Sequence, residues 1–175
     1  MRQTILAIIL GILAGLWEIT VQPFLPARLA ICPILPITIL YLVSQNAKNA
    51  YAFALSGAVF LDLFSARPFD AALLRYAVII ALLNFIASRL LTNRSLYAAL
   101  GLTIAGRILE QASGWIIGTL FYWFGKSSAP WAASAPFGWL LLCDVVFVSI
   151  GFVLLARASR QFHQSISPAP HSWET

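Results

Sequence analysis

Six ionisable side chains interrupt otherwise apolar stretches of this chain: Glu18, Asp62, Arg75, Arg107, Glu110 and Asp144. An ionisable group inside a membrane-spanning helix costs about 2.5–3.5 kcal/mol on insertion scales, so each one needs a partner or a task. Arg107 and Glu110 are three residues apart, a spacing that puts two side chains side by side on one helix. They form either a self-neutralised pair facing other helices or part of a binding or proton-relay site. Asp62 lies in Leu61-Asp62-Leu63-Phe64-Ser65, one turn before its apolar run ends. Arg67 in the following turn or Arg75 in the next helix can pair with it, pinning the third and fourth helices together. The other reading of Asp62 is catalysis.

Two buried carboxylates that share a proton can activate water, and Asp62 with Asp144 invites that comparison. Neither Leu61-Asp62-Leu63 nor Cys143-Asp144-Val145 carries the Gly or Asn pattern that flanks the acids of intramembrane aspartic hydrolases. His163 and His171 both fall in the C-terminal tail, which removes a Ser–His site or a His-ligated zinc from the apolar segments. No P-loop, dinucleotide fingerprint or CxxC is present. The expectation is a protein without catalytic residues, metal or cofactor.

The segments that must hold these charges dominate the composition. Of 175 residues, 61% are apolar and 10% charged, with a mean hydropathy of +0.86. Soluble domains are about half apolar and a quarter charged, so the chain reads as an integral membrane protein. Its net charge of +5 is not gathered into any basic run, so nucleic acid is not an expected partner. Cys32 and Cys143 both lie in apolar stretches and suggest neither disulfide nor metal.

A helix needs about 20 apolar residues to cross about 30 Å of hydrocarbon. Six segments approach that length, 4–21, 29–44, 50–66, 71–91, 96–124 and 137–156, forming one all-α domain over residues 1–160. Too few residues remain for a folded domain outside the bilayer. The first segment lacks a small-residue cleavage site and reads as a retained helix. The second is the weakest, short and carrying Pro33 and Pro36. The fifth is long enough to require a tilt, a bend near Gly114, or emergence from the bilayer.

With the N-terminus inside, Arg2, Lys48, Arg89, Arg94, Arg157 and Arg160 are cytoplasmic, against Arg28, Arg67 and Lys126 outside. Trp17, Trp123, Trp131 and Trp139 then gather near the outer face, as an interfacial belt would. Both termini are expected in the cytoplasm, with 161–175 a short disordered tail. Gly11-x-x-x-Gly15 and Gly114-x-x-x-Gly118 mark faces where two helices approach closely. Asn84 and Gln111 can add hydrogen bonds between helices, at about 0.6 kcal/mol each.

The most specific stretch is Gly57-Ala-Val-Phe-Leu61-Asp62-Leu63-Phe64-Ser65-Ala-Arg-Pro68-Phe69-Asp70. It resembles the GxxxLDLxSxxPxG-type segment that ends the third helix in the bacterial rod shape-determining MreD family, through Gly57, Leu61, Asp62, Ser65 and Pro68. The layout of the N-terminal half is similar, with Gln22-Pro23-Phe24-Leu25 after the first helix and a Pro-led second helix reaching Tyr41. Asp70 replaces the family's Gly, and Ile34 follows Pro33 where an Asp is common. The resemblance implies a non-catalytic component of the bacterial inner membrane that works in sidewall peptidoglycan synthesis beside MreC and the MreB filament. It also implies a fold similar to the S-components of energy-coupling transporters. Lys48, Arg89 and Arg94 would then face anionic lipid or cytoplasmic partners. The same architecture admits a second reading, a small-solute binding subunit whose outer pocket, around Glu18, Asp62 and Asp144, takes a cationic ligand.

Overall fold

A computed structural model describes residues 2–25, 32–44, 46–64, 71–90, 95–125 and 137–166. All regular structure among them is helical. The helices are α1 (Arg2–Thr20), α2 (Ile34–Val43), α3 (Ala47–Phe64), α4 (Ala72–Leu90), α5 (Leu96–Trp123) and α6 (Phe137–Ile166). A single 3-10 turn, Gln22–Phe24, follows α1 and has Pro23 in its first positions, where a missing N–H costs nothing.

Three segments are long and apolar enough to cross a membrane: Arg2–Phe24, Ala72–Arg89 and Phe137–Arg157. These are the first, fourth and sixth of the expected spans. The second differs most from expectation. Among its described residues, 32–44, ten are helical, which at about 1.5 Å per residue is roughly 15 Å, half the hydrocarbon thickness. Pro36 lies in its first turn, where a missing N–H is tolerated, and Pro33 is its N-cap, whose ring disfavours a helical residue before it. Ser44 ends it, its N–H bonded to the Leu40 and Leu42 carbonyls.

The other boundaries shift by three residues or fewer, except the end of α6. α3 starts at Ala47, three residues early, and α5 runs unbroken past Gly114 for 28 residues. The Ser95 hydroxyl accepts from the Ala98 N–H and so fixes where α5 begins. α6 continues to Ile166, ten residues beyond the expected 156, so the expected disordered tail is helical over 161–166. The helix goes on because 157–166 contains no Pro or Gly; the first breaker is Pro168. Residues 167–175 lie outside the described part.

α2 is the shortest helix and the most central. It packs against α3, α4, α5 and α6, and its Ile34, Leu35, Ile39 and Leu42 are buried. Gly106 on α5 makes room for it: a Cβ there would come within 3.2 Å of the Leu35 side chain. Gly151 on α6 accommodates Leu40 in the same way.

α1 is peripheral by contrast and packs chiefly along α3. Gly11 and Gly15 sit on that seam with Gly57 opposite. A Cβ on Gly15 would lie 2.9 Å from the Gly57 carbonyl, and one on Gly57 equally close to the Gly11 carbonyl. Small residues here let the two backbones meet. Two polar contacts border the glycines: the Ser56 hydroxyl with the Ile8 carbonyl at 3.1 Å, and the Thr4 hydroxyl with Asn49 Oδ1 at 3.2 Å. Asn84 and Gln111, expected to bond between helices, form no hydrogen bond among the described residues.

A candidate charge cluster among four helices

α5 supplies the centre of the cluster. Arg107 follows Gly106 on the face that turns towards α2 and α6, and only 3% of it is exposed. Its Nε donates to Asp144 Oδ2 at 2.8 Å, and its Nη2 donates to the same oxygen. Its Nη1 donates to Glu110 Oε2 at 2.5 Å. Asp144, on α6, is 1% exposed. The expected Arg107–Glu110 pair therefore exists but does not neutralise itself. One guanidinium serves two carboxylates, tying α5 to α6 across 37 residues of sequence. A buried ion pair requires this kind of hydrogen-bond satisfaction to recover the cost of leaving water.

α4 and α1 extend the cluster. The Tyr76 hydroxyl, on a side chain that is almost wholly buried, lies 3.3 Å from Glu110 Oε1. The Arg75 guanidinium carbon sits 5.6 Å from the centre of the Tyr76 ring. Glu18, near the end of α1, lies within electrostatic reach of Glu110, Arg75 and Arg107, and beside the backbone amide of Ile34. That amide belongs to the first turn of α2, whose free N–H groups and dipole favour a carboxylate. Gln22, one turn past Glu18, reaches Cys32 with its Nε2 3.2 Å from the thiol sulfur.

Asp62 is not part of this cluster. Its two oxygens accept from the Ala72 N–H at 2.7 Å and the Leu73 N–H at 2.9 Å, so it caps the start of α4 from the end of α3. The expected link between the third and fourth helices is present, but it runs to the α4 backbone instead of the Arg75 guanidinium. Ala71, just before α4, has φ of 43°, a left-handed conformation uncommon for a residue with a Cβ, and the Asp62 clamp holds the turn beside it.

This placement divides the acids expected to form one outer pocket. Asp62 is committed to α4, Asp144 is held by Arg107, and Glu18 lies on α1 beside the first turn of α2. Ser65 and Pro68 lie outside the described residues. Gly114 is buried and Gly118 half-buried on α5. Among the described residues, no three His, Cys, Asp or Glu side chains are grouped as metal ligands.

Sequence reading did not bring Tyr76 into the site, and it grouped Glu18 with Asp62 and Asp144 instead of with Arg107 and Glu110. Glu18 and Gln22 share a helical face at a spacing of four, which marks a polar stripe, but nothing local tells that it meets Cys32 and the start of α2. In chemical terms the cluster is a network of charges contributed by α1, α4, α5 and α6, with Arg107 bonded to two carboxylates at its centre. No family model, curated protein or solved structure matches the chain.

Proposed function

We propose that the protein is a non-catalytic component of the bacterial inner membrane acting in cell elongation, as the resemblance to the MreD family implies. In this reading the chain crosses the membrane six times with both termini in the cytoplasm, and its bundle docks the single transmembrane helix of MreC. The observation that carries the reading is the role of Asp62. In the segment resembling the family's own, this residue clamps the α3–α4 junction through two backbone N–H groups and so shapes a surface instead of presenting a reactive acid. The tying of Arg107 to Asp144 and Glu110 supports a structural role for the interior charges as well.

A second crossing built on α2 needs non-helical backbone for its remainder. Hydrocarbon tolerates such backbone only where protein surrounds it, and the central position of α2 supports that. The basic residues Lys48, Arg89 and Arg94 face anionic lipid or cytoplasmic partners in this orientation.

The test is depletion in the native host with imaging during growth. Rounding or swelling before lysis is expected, together with co-purification of MreC in mild detergent. A correctly inserted protein that never brings MreC down overturns the docking role. The second reading, a small-solute binding subunit, draws support from Glu18 Oε1 and Asp144 Oδ1, both buried and without a hydrogen-bond partner among the described residues. Unchanged cell shape, with growth restored only by a supplied nutrient, would establish it over the first.

A further inference from the structure

At one end of the bundle α5 stands taller than the helices beside it. α4 runs antiparallel to it, with Tyr76 against Glu110 and Leu83 against Gly106. Ala72, which opens α4 four residues before Tyr76, is therefore level with Gly114, four residues after Glu110. α6 gives the same level independently. Asp144 meets Arg107, and Val148, one turn on, packs in the cluster of Leu102 and Ala99, so α6 is antiparallel too. Phe137 opens α6 seven residues before Asp144, and Gly114 lies seven residues after Arg107. The end of α3 is at this level as well, since Asp62 caps Ala72. Residues 115–123 of α5 thus rise about 14 Å past the ends of α3, α4 and α6. On this arm and its cap, Trp115, Ile116, Leu120, Tyr122, Trp123 and Phe124 are all exposed, Trp123 by 78%. No Asp, Glu, Lys or Arg occurs from 111 to 125.

We propose that this arm is a lipid-binding surface, seated in the outer leaflet in the orientation proposed above. Residues 96–114 alone measure about 28 Å, close to the whole hydrocarbon thickness, as does α4. Were the bilayer centred on that stretch, the arm would pass through a headgroup layer only about 5–8 Å deep and hold its aromatic tip in water. Six large apolar side chains form a patch that a folded protein covers. The shape of the patch selects the occupant. Its side chains spread over more than half of the helix circumference, whereas a single docked helix covers a stripe about 100° wide. With no charge along the arm, a polar partner finds nothing to pair with, and the Trp123 indole N–H and Tyr122 hydroxyl suit the headgroup boundary. Lipid beside α5 must then reach about 14 Å further out than lipid beside α4, so the leaflet surface slopes across the bundle. The inference needs only that α4 and α6, both long and apolar enough, cross the membrane, and it is independent of the docking of MreC.

The experiment is hydroxyl-radical footprinting of the full wild-type chain in phosphatidylcholine nanodiscs, one chain per disc, with short, medium or long acyl chains. Each oxidation rate is divided by that of the same residue in the denatured chain. Phe85, exposed on α4 inside its span, is the reference for a side chain in lipid. In medium and long lipid, Trp123 and Phe124 are expected to be as protected as Phe85. Short lipid should raise their oxidation several-fold, with a smaller rise at Trp115 near the base of the arm. A tip oxidised freely in all three lipids stands in water and overturns the proposal. Protection that ignores lipid length means that protein covers the tip, and overturns it as well. So does a tip protected only when several chains share one disc, which would make the occupant a second copy.

Discussion

The α1–α3 seam and the α5–α6 junction solve the same problem in opposite ways. Along α1 and α3, three glycines remove side chains until one backbone rests on the other, and the polar contacts are weak and peripheral. Between α5 and α6, the Arg107 guanidinium holds the Asp144 carboxylate through two directional bonds, while Glu110 on α5 itself takes the remaining terminal nitrogen. Lipid is as apolar as a leucine side chain, so neither junction gains much from hiding apolar surface. The seam depends on contact everywhere along its length. The junction depends on complete satisfaction at one point, and it fails when one partner is lost.

Loss of one partner should therefore give the largest effect. Arg107→Leu strands Glu110 and Asp144 as buried, uncompensated charges and is expected to cost about 3–5 kcal/mol, seen as a large drop in unfolding midpoint. Arg107→Leu combined with Asp144→Leu should recover part of that loss. Strict additivity of the two single changes would show that the residues are not coupled.

At the seam, Gly11→Leu drives a side chain into the Phe53 carbonyl and the Ser56 hydroxyl, and about 1–3 kcal/mol is expected from overpacking. Gly101→Ala is its control, because a Cβ there meets nothing within 4 Å. It should shift the midpoint by less than about 0.5 kcal/mol. Equal effects at the two glycines would end the distinction between packed and open faces.

Asp62→Ala removes the cap on α4 and should cost about 1 kcal/mol, with Asp62→Asn restoring part of it. Faster hydrogen exchange at the Ala72 and Leu73 amides is the accompanying signal. Thr4→Val, which deletes the contact with Asn49, should cost about 0.6 kcal/mol. Little change there would confirm that the glycines, and not the polar contacts at the edge, hold the seam.

The local parts of this architecture were legible in the sequence. Apolar runs mark five of the helices to within a few residues at nearly every end. The three-residue spacing of Arg107 and Glu110 marks a pair because both lie on one helix. The position of Asp144 beside Arg107 is different in kind, since it depends on how far α6 slides along α5, and no short-range pattern encodes that register. Glu18 is hidden for the same reason. Hydropathy also overstates α2, because apolar residues ahead of Pro33 count towards a span whether or not they are helical. Asp62 was read for its charge, whereas its contribution is to satisfy the free N–H groups that open any helix.

In the proposed six-span reading, the shortness of α2 also bears on how the chain enters the bilayer. A ten-residue helix offers an insertion machine too little apolar length to be released into lipid alone. α2 is separated from α3 by only three residues, Ser44 to Asn46, so on the six-span reading proposed above the two leave the insertion channel as one hairpin. α5 and α6, which enclose α2 later, are synthesised more than fifty residues after it. On that reading the α2–α3 hairpin waits in the membrane for its own C-terminal half, whose Gly106 seats α5 against Leu35 and Ile39.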